Sequence, residues 1–120
     1  MKYLTYPVVY LEESDFNEDG TLKNIPKSKP VFILLQSLNC YHCSLAKPAF
    51  QELCKKNPDI ICATIQMDLI KTQSFANIID KIYPNLIGYP SYVLLFNDNK
   101  IVYDGDRTVQ DMDNFLINVI

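Results

Sequence analysis

Five consecutive apolar residues, Val31-Phe32-Ile33-Leu34-Leu35, constrain this chain more than any other stretch. The run is too short for a buried helix of ordinary length and lacks polar alternation, so it reads as a strand covered on both faces. Such a strand needs helices on each side of its sheet, which is the layout of an α/β domain. Residues 60–67 read as a second buried strand. Between the two, residues 40–56 predict a helix. Pro48 should bend it, because proline has no N–H to give and crowds the preceding turn. Residues 73–83 predict another helix, with Phe75, Ile78, Ile79 and Ile82 on one face.

The flanks complete the pattern. Residues 8–11 suit a short strand, and residues 13–17 a short helix ended by Asp19-Gly20. Residues 91–96 and 100–103 are strand-like and are joined by the turn Asn97-Asp98-Asn99, so they form a hairpin. Asp104-Gly105 closes it. Residues 108–120 repeat apolar positions at Val109, Met112, Phe115, Leu116 and Val119, a closing amphipathic helix that Thr108 is placed to cap. This order predicts a central mixed β-sheet with parallel core strands and a C-terminal antiparallel hairpin, flanked by helices. With 120 residues, 48% of them apolar, one domain over residues 1–120 with one compact core is expected.

Charge excludes some functions. A net charge of −3 gives no electrostatic case for nucleic acid. The basic stretch at residues 23–29 is broken by prolines and a serine and reads as a solvated loop. No segment approaches the roughly 20 apolar residues of a membrane span. The N-terminus, residues 1–7 followed by the short apolar run at 8–11 and then acid, lacks the long apolar core and cleavage site expected of a signal peptide, and the last four residues carry no retention signal. The expectation is a protein kept where it is translated, in the cytoplasm. Ten lysines to one arginine, with abundant Ile and Asn, suit an AT-rich genome such as a virus's, so a virion or viral factory is a second expected location.

Four cysteines stand at positions 40, 43, 54 and 62, too few and too uneven for a secreted disulfide scaffold. If a helix begins at Cys40, the sulfurs of Cys40-Tyr41-His42-Cys43 lie on one face and can bridge. Cys40 then meets unpaired N–H groups and the helix macrodipole, which favour the thiolate. Thiols so placed have pKa values of roughly 3.5 to 7.5, against about 8.5 for a free thiol. Cys43, one turn deeper, can attack a mixed disulfide and release the partner. His42, the only histidine, can reach the Cys40 sulfur region, where stabilising the thiolate makes the pair more oxidising. Cys54 falls eleven residues beyond Cys43. That is about 16 Å further along a continuous helix, whereas zinc–sulfur bonds are about 2.3 Å, so one ion cannot take both. Cys54 and Cys62 read as small core residues. No metal and no cofactor are expected.

With these residues assembled, the chain resembles the thioredoxin superfamily, and within it the catalytic domains of protein disulfide isomerases. Cys-x-His-Cys at residues 40–43 looks more like the isomerase site than the Cys-Gly-Pro-Cys of thioredoxins. Pro48 matches the family's helix-kinking proline. Gly88-Tyr89-Pro90-Ser91 is similar to the isomerase Gly-Tyr-Pro-Thr, whose proline is cis and faces the cysteines. Residues 103–108 are similar to the Tyr-x-Gly-x-Arg segment before the last helix. The resemblance implies a thioredoxin fold and exchange of disulfides with protein thiols, supplied by a reductase or oxidase that it does not specify. It implies Cys40 as nucleophile, Cys43 as resolving cysteine, and Arg107 swinging toward Cys43 to lower its pKa. Tyr41, Tyr89 and Pro90 would hold the partner peptide.

Three positions depart from the family pattern. Leu34 stands where the family keeps a buried carboxylate, Asn39 where it keeps tryptophan, and Ser44 where it keeps lysine. Loss of the acid points to slower turnover and leaves open a second reading, a binding or chaperone module with weak exchange. A glutathione-dependent glutaredoxin is disfavoured by the lack of Gly-Gly after the hairpin.

Overall fold

The computed structural model describes residues 3–120. Met1 and Lys2, where the signal-peptide reading begins, lie outside the described residues. Five strands, β1 (Val9–Tyr10), β2 (Val31–Gln36), β3 (Ile61–Gln66), β4 (Ser91–Phe96) and β5 (Asn99–Tyr103), form one sheet in the order β1-β3-β2-β4-β5. Strands β1, β3 and β2 run parallel, while β4 is antiparallel to both β2 and β5. Three helices, α1 (Tyr41–Lys56), α2 (Gln73–Ile82) and α3 (Val109–Val119), flank the sheet.

β2 lies at the centre, and all six of its residues are buried. Because side chains alternate along a strand, the apolar run is split between two cores. Phe32 and Leu34 join α1 and α3 residues such as Phe50, Leu53, Met112 and Leu116. Val31, Ile33 and Leu35 join Phe75, Ile78, Ile79 and Ile82 of α2. The first core is aromatic: the Phe32 ring lies 5.8 to 6.3 Å from those of Phe50, Tyr92, Tyr103 and Phe115. Offset and edge contacts of this kind add roughly 0.5–1.5 kcal/mol each beyond area burial.

Local chemistry explains the ends of the elements. Thr72 and Thr108 cap α2 and α3, accepting the N–H of Phe75 at 3.1 Å and of Asp111 at 3.2 Å. α1 continues through Pro48, which has no N–H for the Ser44 carbonyl. The β4–β5 turn is tighter than the sequence pattern predicts. Asn97 and Asp98, with φ of 52° and 65°, make it alone, and Asn99 already belongs to β5.

The helix expected over residues 13–17 is a single 3-10 turn, Glu13–Asp15. Phe16 leaves it in extended conformation and buries its ring 6.1 Å from that of Phe75, a contact a continued helix would forgo. A second 3-10 turn, Met67–Leu69, follows β3. In the basic loop, Lys27 pairs with Asp98 at 3.0 Å and Lys29 donates to the Asp59 carbonyl at 2.6 Å, so local partners occupy both charges. Among the described residues no helix is long and apolar enough to cross a membrane.

Candidate active site

Cys40 is the N-cap of α1, one residue earlier than the first helical position. Its backbone is extended, and its sulfur accepts the Cys43 N–H at 3.2 Å, one of the donors that every helix start leaves unpaired. Cys40 and Cys43 are joined as a disulfide with Cα atoms 5.1 Å apart, inside the range such bonds need. The two ends of the bond differ in access. Cys43 is fully buried, whereas Cys40 is half-buried and reachable from solvent.

The loop before β4 closes over the same sulfur. The Tyr89–Pro90 bond is cis, Pro90 is buried, and the Tyr89 carbonyl oxygen lies 3.8 Å from Cys40 Sγ. Ser91 Oγ donates to the Gly88 carbonyl at 2.7 Å and holds the loop shut. Tyr41 and His42 are exposed on the first turn, their rings edge to face at 5.5 Å. His42 thus turns to Tyr41 and makes no hydrogen bond to Cys40 among the described residues.

In β2, Leu34 is fully buried, with Thr64 and Tyr92 as its neighbours in register across the sheet. Thr64 Oγ1 donates to the Leu34 carbonyl at 2.7 Å. The buried Tyr92 hydroxyl has no hydrogen-bond partner among the described residues. Burial pushes its pKa up to about 12, with the Arg107 charge pulling the other way. Arg107 is exposed, yet its field reaches this layer. Its loop is fixed by the Tyr103 hydroxyl, which donates to the Asp106 carbonyl, and by Gly105. A Cβ at Gly105 would stand 2.8 Å from the Tyr103 hydroxyl oxygen and 2.9 Å from ring atoms.

Four buried polar residues, Gln36, Lys47, Gln51 and Thr64, escape the sequence reading. Lys47 is fully buried on the α1 stripe that carries Cys43, Ala46 and Phe50, one turn beyond Cys43. Burial draws its ammonium pKa down, and Asp68 opposes that shift. Gln36, at the end of β2, is fully buried with neither amide atom partnered among the described residues. The spacing of Lys47 from Cys43 and Phe50 was the available signal. Leu45 and Ile87 add exposed apolar surface beside Tyr41 and Tyr89. No cluster of three or more metal-ligating side chains occurs among the described residues.

No family model matches the chain. Thioredoxin-like protein 453L of Invertebrate iridescent virus 6 is 35% identical over 135 aligned positions, covering 97% of this chain and 96% of that protein. Among solved structures, the J-Trx1 fragment of ERdj5 superposes with a TM-score of 0.69 at 18% identity, over 92% of this chain and 50% of the fragment. Human ERp44 gives 0.70 at 14% identity, over 97% of this chain and 30% of that one. Thioredoxin O2 from Arabidopsis thaliana, in its oxidised state, gives 0.66 at 23% identity, with 93% of each chain covered. The chain thus spans half of the ERdj5 fragment and under a third of ERp44, but nearly the whole of the plant thioredoxin and of the viral relative. These structures share its mixed sheet and flanking helices, and the Cys40–Cys43 pair supports thiol–disulfide oxidoreductase chemistry. By fold and by its viral relative, this chain belongs to the thioredoxin-like proteins.

Proposed function

We propose that the chain exchanges disulfides with protein thiols in the manner of a protein disulfide isomerase domain, with Cys40 as the attacked and attacking sulfur and Cys43 as the resolving one. The observation that carries this reading is the unequal access of the two sulfurs, Cys40 at the half-exposed cap of α1 and Cys43 fully buried behind it. In the oxidised protein a substrate thiolate attacks Cys40 Sγ, the Cys40–Cys43 bond breaks, and Cys43 leaves as a thiolate. A second substrate thiolate then attacks the substrate sulfur of the mixed disulfide, and Cys40 leaves. Two substrate thiols become a disulfide, and the protein holds the two electrons as a dithiol.

In the reverse direction the Cys40 thiolate, favoured by the Cys43 N–H and the helix macrodipole, attacks a substrate disulfide. Cys43 then attacks Cys40 Sγ and frees the substrate thiol. Tyr41 and Tyr89, exposed near the pair, would contact the substrate chain, together with Pro90 of the cis Tyr89–Pro90 bond. The His42 side chain would stabilise the Cys40 thiolate, and Arg107 would act on Cys43. The viral relative supports a location in an infected cell's cytoplasm, a viral factory or a virion.

The buried side chain of Leu34 favours a second reading, a binding module with weak turnover. Insulin reduction and refolding of scrambled ribonuclease separate the two. Wild type should be active in both, Cys40→Ser inactive, and Cys43→Ser should accumulate mixed disulfides with the substrate at position 40. In the reduced protein, iodoacetamide should modify Cys40 before Cys43, Cys54 or Cys62. If Cys43 reacts first, the assigned roles are wrong. Wild type inactive in both assays selects the binding module.

A further inference from the structure

Two further thiols lie in one core cluster and line one cavity, away from the active-site pair. Cys54 lies near the C-terminal end of α1 and Cys62 is the second residue of β3. Both are free and belong to the same core cluster, with exposures of 2% and 3%. Contact with the Cys62 side chain, reinforced by burial, holds the Cys54 thiol protonated well above the ordinary thiol range. Both residues also line one cavity of about 350 Å³, walled by Tyr6, Pro7, Lys55, Pro58 and Ile60. Tyr6, Lys55 and Pro58 are exposed, so the cavity opens to solvent between the N-terminal segment and the α1–β3 loop. Core packing alone calls for neither thiol-to-thiol contact nor a cavity beside it.

We propose that Cys54 and Cys62 are a second dithiol–disulfide centre, oxidised by a small disulfide that enters this cavity. One thiol of the pair gives its proton to water, and the thiolate attacks a sulfur of the small disulfide R–S–S–R. That S–S bond breaks, and RS⁻ leaves and takes up a proton. The second thiol then loses its proton and attacks the protein sulfur of the mixed disulfide, expelling the second RS⁻. The two cysteines lose two electrons and two protons, and one small disulfide becomes two thiols. The raised Cys54 pKa makes this centre slow at neutral pH and faster as pH rises. The eleven residues from Cys43 to Cys54 span about 16 Å of helix, so the two pairs of one chain do not exchange directly. The new link ties the end of α1 to the start of β3 and does not depend on the function proposed for Cys40 and Cys43.

The probe is bis(2-hydroxyethyl) disulfide, small and uncharged, applied to native protein at pH about 8. A Cys40→Ser/Cys43→Ser variant retains only Cys54 and Cys62. After acid quench, denaturation and N-ethylmaleimide, its intact mass should lack two hydrogens and carry no maleimide. Peptide mapping should find Cys54 linked to Cys62, and dithiothreitol should restore two labels. Wild type treated alike should show both links, which covers a variant that fails to fold. Two maleimide labels on Cys54 and Cys62 in wild type whose Cys40–Cys43 pair is fully oxidised would overturn the proposal. So would reagent adducts that persist without a cross-link, or a link found only between chains.

Discussion

At Leu34 the chain places a fully buried hydrocarbon side chain where the isomerase domains it resembles keep a carboxylate. Hydrocarbon accepts no proton, so under the proposed exchange Cys43 must lose its own to water or to another group before it resolves a mixed disulfide. Resolution should therefore be slow at pH 7 and accelerate as pH rises. Leu34→Glu should speed resolution near neutral pH and cost about 1–3 kcal/mol of stability, since the new carboxyl is desolvated among apolar neighbours. Stopped-flow decay of a preformed mixed disulfide, beside urea unfolding, measures both. Equal rates for wild type and variant from pH 6 to 8 would show that another group already serves as base. The substitution was plain in the sequence from its distance to Cys40. The company it keeps was not, because Phe50 and Leu53 of α1 and Met112 and Leu116 of α3 join its core only through tertiary packing.

The loop between β5 and α3 illustrates the next scale. Tyr103 ends β5 and is held among the rings of Phe32, Tyr92 and Phe115, and its hydroxyl reaches forward to the Asp106 carbonyl. Gly105 passes directly over that ring, which leaves no room for a Cβ. The ring is wedged on three sides and cannot yield cheaply. Gly105→Ala should cost about 1–3 kcal/mol, the usual penalty of overpacking, and, if Arg107 acts on Cys43 as proposed, should slow mixed-disulfide resolution by displacing Arg107. Thermal unfolding reads the first effect, and the rate of mixed-disulfide resolution the second. A variant as stable as wild type would mean the Tyr103 ring moves freely. The sequence offered Gly105 as a turn residue, and only the folded loop shows that the demand is space.

Across the whole molecule the two faces of the sheet carry different cores, mostly aliphatic with a Phe16–Phe75 pair under α2 and richer in aromatic rings under α1 and α3. The aromatic side holds two tyrosines whose phenols resist ionisation. Burial pushes Tyr92 up to about 12, and Tyr103 is raised by burial and by the carboxylates of Asp111, Asp106 and Asp104. In the unfolded chain both lose their protons near pH 10, before the native phenols do. The native state then binds more protons, so stability held below about pH 10 is lost as pH climbs toward 12. Tyr92→Phe should flatten that alkaline loss. At pH 7 it should change stability by no more than about 1 kcal/mol, since the hydroxyl gives up no bond among the described residues. Urea unfolding at pH 7 and pH 11 tests this, and a loss at pH 11 as steep as in wild type would contradict it.

What the sequence determined by itself is what short-range pattern can encode. An unbroken apolar run marks a strand buried on both faces, a three-residue spacing puts two sulfurs on one helical face, and Thr108 before an apolar repeat caps a helix. What only the tertiary structure decided depends on residues brought together from far apart. Phe16 left its expected helix because the Phe75 ring, 59 positions later, offers burial. β4 runs against β2 because the chain returns after α2 to the open side of the central strand. His42 turned to Tyr41, Arg107 came within electrostatic reach of Tyr92, and Cys54 met Cys62 across a helix–strand contact. No local spacing encodes those meetings, because they follow from how two cores close on opposite faces of one sheet.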